Sequence, residues 1–197
     1  MAIIPTVDAT QTNRLFSALG EQLAARGERV ELVVIGGSGL LSLGLISRAT
    51  RDVDVVALLF GRVLANPRPL PTALIEARDQ VARDFDLPED WLNAAPADLL
   101  DFGLPDGFVD RLERRAYGHA LIVHLASRFD QIHFKLYAMV DQGAGKHEAD
   151  LRDLQPTRDE LLAAARWTRT HDPSDGFREQ LVAALAYLGV EDAGLDA

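Results

Sequence analysis

The sequence predicts an α/β (α+β) fold: a small mixed sheet flanked by helices, followed by a helical C-terminal portion. Apolar, strand-like runs occupy residues 29–35 and 52–59, and amphipathic helical patterns alternate with such runs as far as residue 126. Beyond that point only helical patterns follow. We therefore expect a core over residues 1–126 and a helical portion over residues 127–197 that completes the functional site.

The composition indicates a globular protein and excludes several kinds of functional site. With 197 residues, 48% hydrophobic and 25% charged, the chain resembles an ordinary globular domain. Cysteine is absent, which excludes disulfides, thiolate metal sites and a cysteine nucleophile. Neither an apolar run of about 18 residues nor a basic-apolar leader is found, so we expect a cytoplasmic protein with no membrane partner. The net charge of −10 argues against a broad nucleic-acid surface but allows a local basic patch.

The first element is predicted to be an amphipathic helix over residues 8–26. Asp8 or Thr10 is the expected N-cap, and Gly27 fits the position after the C-cap. The apolar stripe consists of Leu15, Leu19 and Leu23.

Two strands joined by a glycine turn follow this helix. Residues 29–35 predict a strand entering a buried sheet, Gly36-Gly37-Ser38 ends it, and a short buried helix follows. Residues 52–59 predict the second strand, with Val53 and Val55 on the face opposite Asp52 and Asp54.

The remaining elements are predicted from turn residues and helical periodicity. Residues 60–71 are interpreted as a linker, 71–85 as a helix, 86–110 as a turn-rich stretch, and 117–126 as a third strand. The C-terminal helical segments are 127–143, 145–154, 157–172 and 175–189.

The spacing of Asp52 and Asp54 suggests a metal site. Two carboxylates at about 4 Å repel each other by about 4 kcal/mol at an effective dielectric constant near 20. Along one strand face they lie about 6.5–7 Å apart, which suits a pair of ions about 3.5–4 Å from each other. A divalent ion would compensate the paired charges. The alternative is one acid that caps the strand and one that is solvated.

The glycine turn suggests a phosphate site. Glycines at a strand-to-helix turn allow backbone N–H groups to approach phosphates, and the Ser38 hydroxyl adds a donor. Gly36 and Gly37 could equally form only a tight turn, and Ser38 could be only a helix N-cap.

Together these motifs resemble the nucleotidyltransferase superfamily related to DNA polymerase β. The segment IGGSGLLSLGLISRATRDVDVV is closer still to the bacterial AbiEii-type and MenT-like toxin nucleotidyltransferases. Those proteins pair the Gly-Gly-Ser/Thr turn with an Arg-x-Ser/Thr-x-Asp-x-Asp segment, which here supplies Arg48 and Thr50. Arg48 is either a phosphate clamp or a surface residue, and Thr50 either lies at the site or caps the strand entry.

The same resemblance gives a role to the only two lysines among 20 basic residues, Lys135 and Lys146. Family members carry a lysine on a later helix and a lysine-rich turn before an Asp-Leu-x-Asp-Leu helix, matched here by Asp150 and Asp153. Lys135 either neutralises triphosphate charge or extends along the helix to solvent. Asp150 either acts in catalysis, in place of a third strand carboxylate, or is the i+4 partner of Lys146.

The resemblance implies a Mg²⁺- or Mn²⁺-dependent enzyme that moves a nucleoside monophosphate from an NTP, such as ATP or CTP, to a hydroxyl. The implied acceptor is a tRNA 3′ end and the implied partner an antitoxin protein. Candidates for a basic patch facing RNA are Arg111, Arg114, Arg115 and Arg128. Two alternatives remain open: a catalytically silent nucleotide-binding module, and an antibiotic-modifying nucleotidyltransferase, whose cationic substrate would suit the net charge.

Overall fold

The computed structural model describes residues 8–191 and residue 194 of the chain. The chain divides into two compact units, Met1–Ser127 and Arg128–Ala197. The first contains a mixed six-stranded sheet with helices, and the second is helical, so the predicted α/β (α+β) class is confirmed. Across the described part of the chain, every helix is too short or too polar to cross a membrane.

The strands and helices of the first unit have the following bounds. The strands are β1 (Val30–Ile35), β2 (Val53–Phe60), β3 (Val63–Ala65), β4 (Leu92–Asn93), β5 (Glu113–Tyr117) and β6 (Leu121–Leu125). The helices are α1 (Ala9–Ala25), α2 (Gly36–Ser42), α3 (Thr72–Phe85) and α4 (Asp98–Phe102), with 3₁₀ turns at Ala95–Ala97 and Phe108–Arg111.

The sheet has the order β3-β2-β1-β6-β5, and β4 pairs with β2 on the side away from β1. Strand β1 is antiparallel to β2 and parallel to β6, whereas β4 is parallel to β2. One face of the sheet packs against α1 and α3 in a single apolar cluster. The stripe predicted on the first helix is part of this cluster, at Leu15, Leu19 and Leu23.

Helix α1 forms where local sequence signals predict it. Asp8 is the N-cap: its carboxylate accepts a hydrogen bond from the Gln11 backbone N–H at 2.8 Å, and the Gln11 side chain accepts one in return. Gly27 has a φ of +71°, which fits the predicted position after the C-cap. The helix predicted over residues 71–85 is also confirmed.

Two predictions for the first unit are wrong in part, and strand β5 was not predicted. The segment interpreted as a linker contains β3, which pairs with the end of β2. The third strand is β6 alone, because residues 118–120 form a turn that separates it from β5. The sequence of strand β5, Glu-Arg-Arg-Ala-Tyr, has no apolar run that would predict a strand. It forms a strand because it pairs with β6 at the edge of the sheet.

The second unit contains α5 (Arg128–Gln142), α6 (Gly145–Leu154), α7 (Arg158–His171) and α8 (Asp175–Tyr187), which confirms the four predicted helical segments. Helix α5 contacts each of the other three. Trp167 of α7 packs against Phe134 of α5, with ring centroids 5.6 Å apart. Thr157 and Glu160 form a capping box that starts α7.

Candidate nucleotide and metal site

The glycine turn after β1 lies directly against the carboxylate of Asp54. Ile35 and Asp54 are register partners across β1 and β2. Gly36 has a φ of +76°, and a Cβ atom placed on it would lie 2.5 Å from Asp54 Oδ2. A side chain at this position would be strained by the positive φ and would collide with the carboxylate. The backbone conformation and the close approach of Asp54 therefore both favour glycine.

The second glycine lies against the segment that leads into β2. A Cβ atom on Gly37 would lie 2.8 Å from Thr50 Oγ1 and 3.6 Å from Arg48 Nη2. Thr50 is buried and Arg48 half-buried. The structure therefore brings the Gly36-Gly37 turn together with Arg48, Thr50 and Asp54.

Ser38 is a fully buried residue, and within the part of the chain that the structure describes its hydroxyl has no hydrogen-bond partner. The prediction that it could be the helix N-cap is wrong. Helix α2 begins at Gly36 with Ile35 as N-cap, because the positive φ of Gly36 turns the chain directly out of β1 into the helix. Buried hydroxyls are normally hydrogen-bonded. A buried hydroxyl without a partner next to the glycine turn therefore calls for an explanation, and a ligand bound at the turn would be one.

A β-bulge decides which way Asp54 faces. Val33 pairs with Ala57 but Val34 pairs with Val55, so Val56 is an extra residue in β2. Side chains along a regular strand alternate between the two faces of the sheet, so residues 58, 56 and 54 would share one face. Leu58 lies in the apolar cluster, and without the bulge Asp54 would therefore point into that cluster as well. The bulge shifts the alternation, so that Val55 joins the cluster and Asp54 lies on the opposite face.

Asp52 immediately precedes β2 and is half-buried. Within the described part of the chain its carboxylate takes part in no hydrogen bond or ion pair. The next residue, Val53, belongs to the apolar cluster. A half-buried carboxylate without a protein partner is costly unless it meets water or a cation.

The donor set fits a metal that is shared with a substrate. Among residues 8–191 and 194, no group of three or more His, Cys, Asp or Glu side chains is arranged to hold a metal. Asp52 and Asp54 supply two carboxylates. Mg²⁺ is typically bound by one or two carboxylates and completes its shell with substrate phosphates and water. These residues therefore fit Mg²⁺ brought in with a phosphorylated substrate.

Lys135 and Asp150 form a buried ion pair within the second unit. Lys135 Nζ lies 2.7 Å from Asp150 Oδ2, and the two side chains are 7% and 0% exposed. The prediction that Lys135 could extend to solvent is wrong, and so is the one that Asp150 serves only as partner of Lys146. Lys146 is exposed on the first turn of α6, whereas Asp150 faces α5.

Two arginines of the predicted basic patch have internal partners. Arg115 donates to the Ser42 carbonyl oxygen at 2.5 Å and pairs with Glu113. Arg128 pairs with Glu160 and donates to the carbonyl oxygens of Leu154 and Gln155. The charges of Arg115 and Arg128 are therefore partly neutralised within the fold. Of the two neighbouring arginines on β5, Arg114 and Arg115, only Arg114 is exposed.

Sequence reasoning missed one polar residue beside the site, Asn93. It is the register partner of Asp54 on β4. No local signal identified it, because β4 has only two residues and its pairing with β2 is a long-range contact.

Comparisons with known proteins identify a family. Residues 13–157 match the model of a family described as nucleotidyltransferase of unknown function (DUF6036). Searches of curated proteins and of solved structures gave no match. The matched range takes in the glycine turn, both aspartates, and helices α5 and α6, and it ends before α7. Since it covers well over half of the sequence, the chain belongs to this family of nucleotidyltransferases.

Proposed function

We propose that this protein transfers a nucleoside monophosphate from an NTP to an acceptor hydroxyl and releases pyrophosphate. One observation carries the proposal: in a chain of a nucleotidyltransferase family, the Gly36 turn abuts the Asp54 carboxylate. In this reaction the acceptor oxygen attacks the α-phosphorus. The bond from that phosphorus to the bridging oxygen breaks, and the hydroxyl proton passes to a base.

Asp52 and Asp54 are the proposed ligands of Mg²⁺ or Mn²⁺. Bound there, the ion would neutralise charge on the phosphoryl group and hold it in line for displacement. Two observations support this assignment: the Asp52 carboxylate has no partner among the described residues, and two carboxylates suit a Mg²⁺ ion that is shared with a substrate.

The glycine turn is proposed to bind the phosphate chain. Gly36 and Gly37 allow the turn to lie directly against Asp54 and Thr50, and the Ser38 hydroxyl, which has no partner among the described residues, is the proposed donor. Thr50 and Arg48 lie beside Gly37, so their hydroxyl and guanidinium groups are the proposed further contacts to the nucleotide. Lys146, exposed at the start of α6, is a proposed electrostatic contributor.

For Lys135 and Asp150 we propose a role in the same transfer. The ammonium would offset triphosphate charge, and the carboxylate would position the acceptor or take its proton. The inclusion of both residues in the matched range supports this proposal. Their pairing with each other is a second reason for the burial of both groups.

The proposed acceptor is a tRNA 3′ end, and the proposed biological role is that of a toxin held by an antitoxin protein. Support for both comes from the resemblance of the glycine turn and Asp-x-Asp segment to AbiEii-type and MenT-like toxins. A small hydroxylated cation is the second candidate. The net charge of −10 and the internal pairing of Arg115 and Arg128 favour it.

The test is the incorporation of label from each α-³²P-NTP into total tRNA, with and without Mg²⁺. Transfer by the wild type that is absent in Asp52→Ala supports the proposal. A parallel reaction with aminoglycosides tests the second acceptor class. NTP binding with no transfer to RNA, protein or aminoglycoside would instead identify a silent nucleotide-binding module, and would contradict the proposed activity.

A further inference from the structure

Asn93 lies beside Asp54 on the neighbouring strand. Strand β4 is parallel to β2, with Val53 paired to Leu92 and Asp54 paired to Asn93. Val53 and Leu92 both lie in the apolar cluster, so the next residue on each strand lies on the opposite face. Neighbouring strands are about 4.8 Å apart, which places the two polar residues side by side. Both are half-buried.

The carboxamide of Asn93 has a fixed orientation. Its Oδ1 accepts a hydrogen bond from the Ala95 backbone N–H at 2.8 Å, which identifies the oxygen and leaves Nδ2 on the other branch. Within the described residues the one contact of Nδ2 is the Asp90 carbonyl oxygen at 3.5 Å, at the outer limit for a hydrogen bond. Because an amide nitrogen carries two donors, at least one N–H remains available.

The chain after Asn93 is held firmly in place. The Arg68 guanidinium donates to the carbonyl oxygens of Ala94 at 2.8 Å and Ala95 at 2.7 Å, and it pairs with Asp98 at 3.0 Å. These contacts join residues 26 to 30 positions apart in sequence. A side chain on so constrained a segment is preorganised, which lowers the entropy lost when it binds a ligand.

Gly36 and Asn93 therefore flank Asp54 from opposite sides, one at the end of β1 and the other on β4. We propose that Asn93 Nδ2 donates a hydrogen bond to an oxygen of the nucleotide bound at this site, either a sugar hydroxyl or a phosphate oxygen. The inference rests on the proposed function and extends it by one specific contact. An uncharged amide beside Asp54 would stabilise an oxygen of the nucleotide and would not act as an additional carboxylate ligand of the proposed metal ion.

The test must separate ligand binding from turn formation, since Asn93 also forms an Asx turn with Ala95. Asn93→Asp keeps the turn-forming oxygen but loses the amide donor and adds a charge. Asn93→Ser also loses the amide donor, without added charge, and can keep the turn more weakly. Asn66 makes the same kind of turn, with Oδ1 accepting from Arg68 N at 2.9 Å, so Asn66→Ser is the matched control.

The measurement is calorimetric titration of each variant with the Mg²⁺ complex of the NTP that binds the wild type most tightly. Its 2′-deoxy analogue and inorganic tripolyphosphate are titrated in parallel. We expect Asn93→Asp and Asn93→Ser to weaken NTP binding about tenfold, the loss of one hydrogen bond. Asn66→Ser should bind as the wild type does. Asn93→Ser and Asn66→Ser should lower the unfolding midpoint by similar amounts, since each weakens one turn of the same kind.

The three ligands identify the oxygen. A sugar contact predicts that the preference for the NTP over its deoxy analogue disappears, with tripolyphosphate binding unchanged. A phosphate contact predicts a tenfold loss for tripolyphosphate as well. If Asn93→Ser binds NTP as tightly as the wild type, so that only Asn93→Asp loses affinity, the inference about Asn93 is overturned. The proposed function is unaffected by that result. If the wild type binds no NTP at all, the proposed function fails together with the inference.

Discussion

Lys135 Nζ, on α5, lies 2.7 Å from Asp150 Oδ2, on α6, and both side chains are buried. Removing one member of a buried ion pair leaves the other charge without that partner, at a cost of about 3–5 kcal/mol, whereas replacing both by apolar groups is often neutral. The pair therefore contributes to folding whatever part it has in chemistry.

This relationship gives the first prediction. Lys135→Met and Asp150→Leu should each lower the free energy of unfolding by about 3–5 kcal/mol, and the double variant should recover most of the loss. Urea unfolding measures this. Lys146→Met, at an exposed lysine, should change stability by no more than about 0.5 kcal/mol. A folded double variant with wild-type transfer activity would refute a catalytic role for the pair.

The two aspartates next to the glycine turn give the second prediction. Asp52→Asn and Asp54→Asn should each lower NMP transfer by about 10²–10³-fold, because a lost metal ligand removes several kcal/mol of transition-state stabilisation. The stability of Asp52→Asn should not fall, since one of two neighbouring charges is removed. Asp106→Asn, at an exposed aspartate of the same unit, is the control. Full activity in either site variant at saturating Mg²⁺ would rule out the metal assignment.

Gly36 provides the third prediction, with Gly61 as its control. Both have positive φ, +76° and +63°, but a Cβ atom would meet Asp54 at Gly36 and nothing within 4 Å at Gly61. Gly61→Ala should cost about 1–2 kcal/mol of stability with activity kept. Gly36→Ala should cost more and should lower transfer about 100-fold, because the carboxylate is displaced. Equal behaviour of the two variants would count against the close approach.

The fourth prediction compares two buried hydroxyls in α2, Ser38 and Ser42. Neither has a hydrogen-bond partner among the residues that the structure describes, so replacing either by alanine should leave stability unchanged or raise it by about 1 kcal/mol. Only Ser38→Ala should weaken NTP binding, by about tenfold, since only Ser38 is assigned a phosphate contact. Titration and thermal unfolding of both variants check this. An equal loss of affinity in Ser42→Ala would point to an effect on the helix instead.

The fifth prediction concerns pH. The hydrogen bond from Arg128 lowers the pKa of the Glu160 carboxyl below its usual value of 4.5, although burial acts in the opposite direction. A carboxyl whose pKa is lower in the folded state adds stability above its unfolded pKa, and this is lost as pH falls through the folded value.

Glu160→Gln keeps the capping geometry but loses the charge. At pH 7 it should be less stable than the wild type, by less than about 1 kcal/mol for this partly exposed pair. The difference should vanish as the pH falls below about 4.5 and through the lowered folded pKa. Urea unfolding between pH 3 and 7 measures it, and a constant difference across the range would contradict the assignment.

Helices were predicted well because their signals are local. The cap at Asp8 and the apolar stripe of α1 can be identified within a few turns of sequence. Strands β3, β4 and β5 were missed, since two to five residues of mixed polarity form a strand only when a neighbour supplies the hydrogen bonds.

The features of the candidate site also fall into those that are evident from local sequence and those that depend on long-range pairing. The motif of two glycines, a serine and two aspartates was evident from the sequence, and the structure places Gly36 against Asp54. The bulge at Val56, which directs Asp54 away from the apolar cluster, was not evident. Nor was Asn93, which reaches Asp54 only through pairing of segments almost 40 residues apart.

By itself the sequence determined the longer helices, the two central strands, and the motif of glycines and aspartates from which the structure brings Gly36 and Asp54 together. The tertiary structure alone decided that Asp54 faces away from the core, that Asn93 lies beside it, and that Asp150 pairs with Lys135 rather than Lys146. The physical reason is that strand register and buried ion pairs depend on contacts between distant segments, and such contacts form only when the whole unit packs.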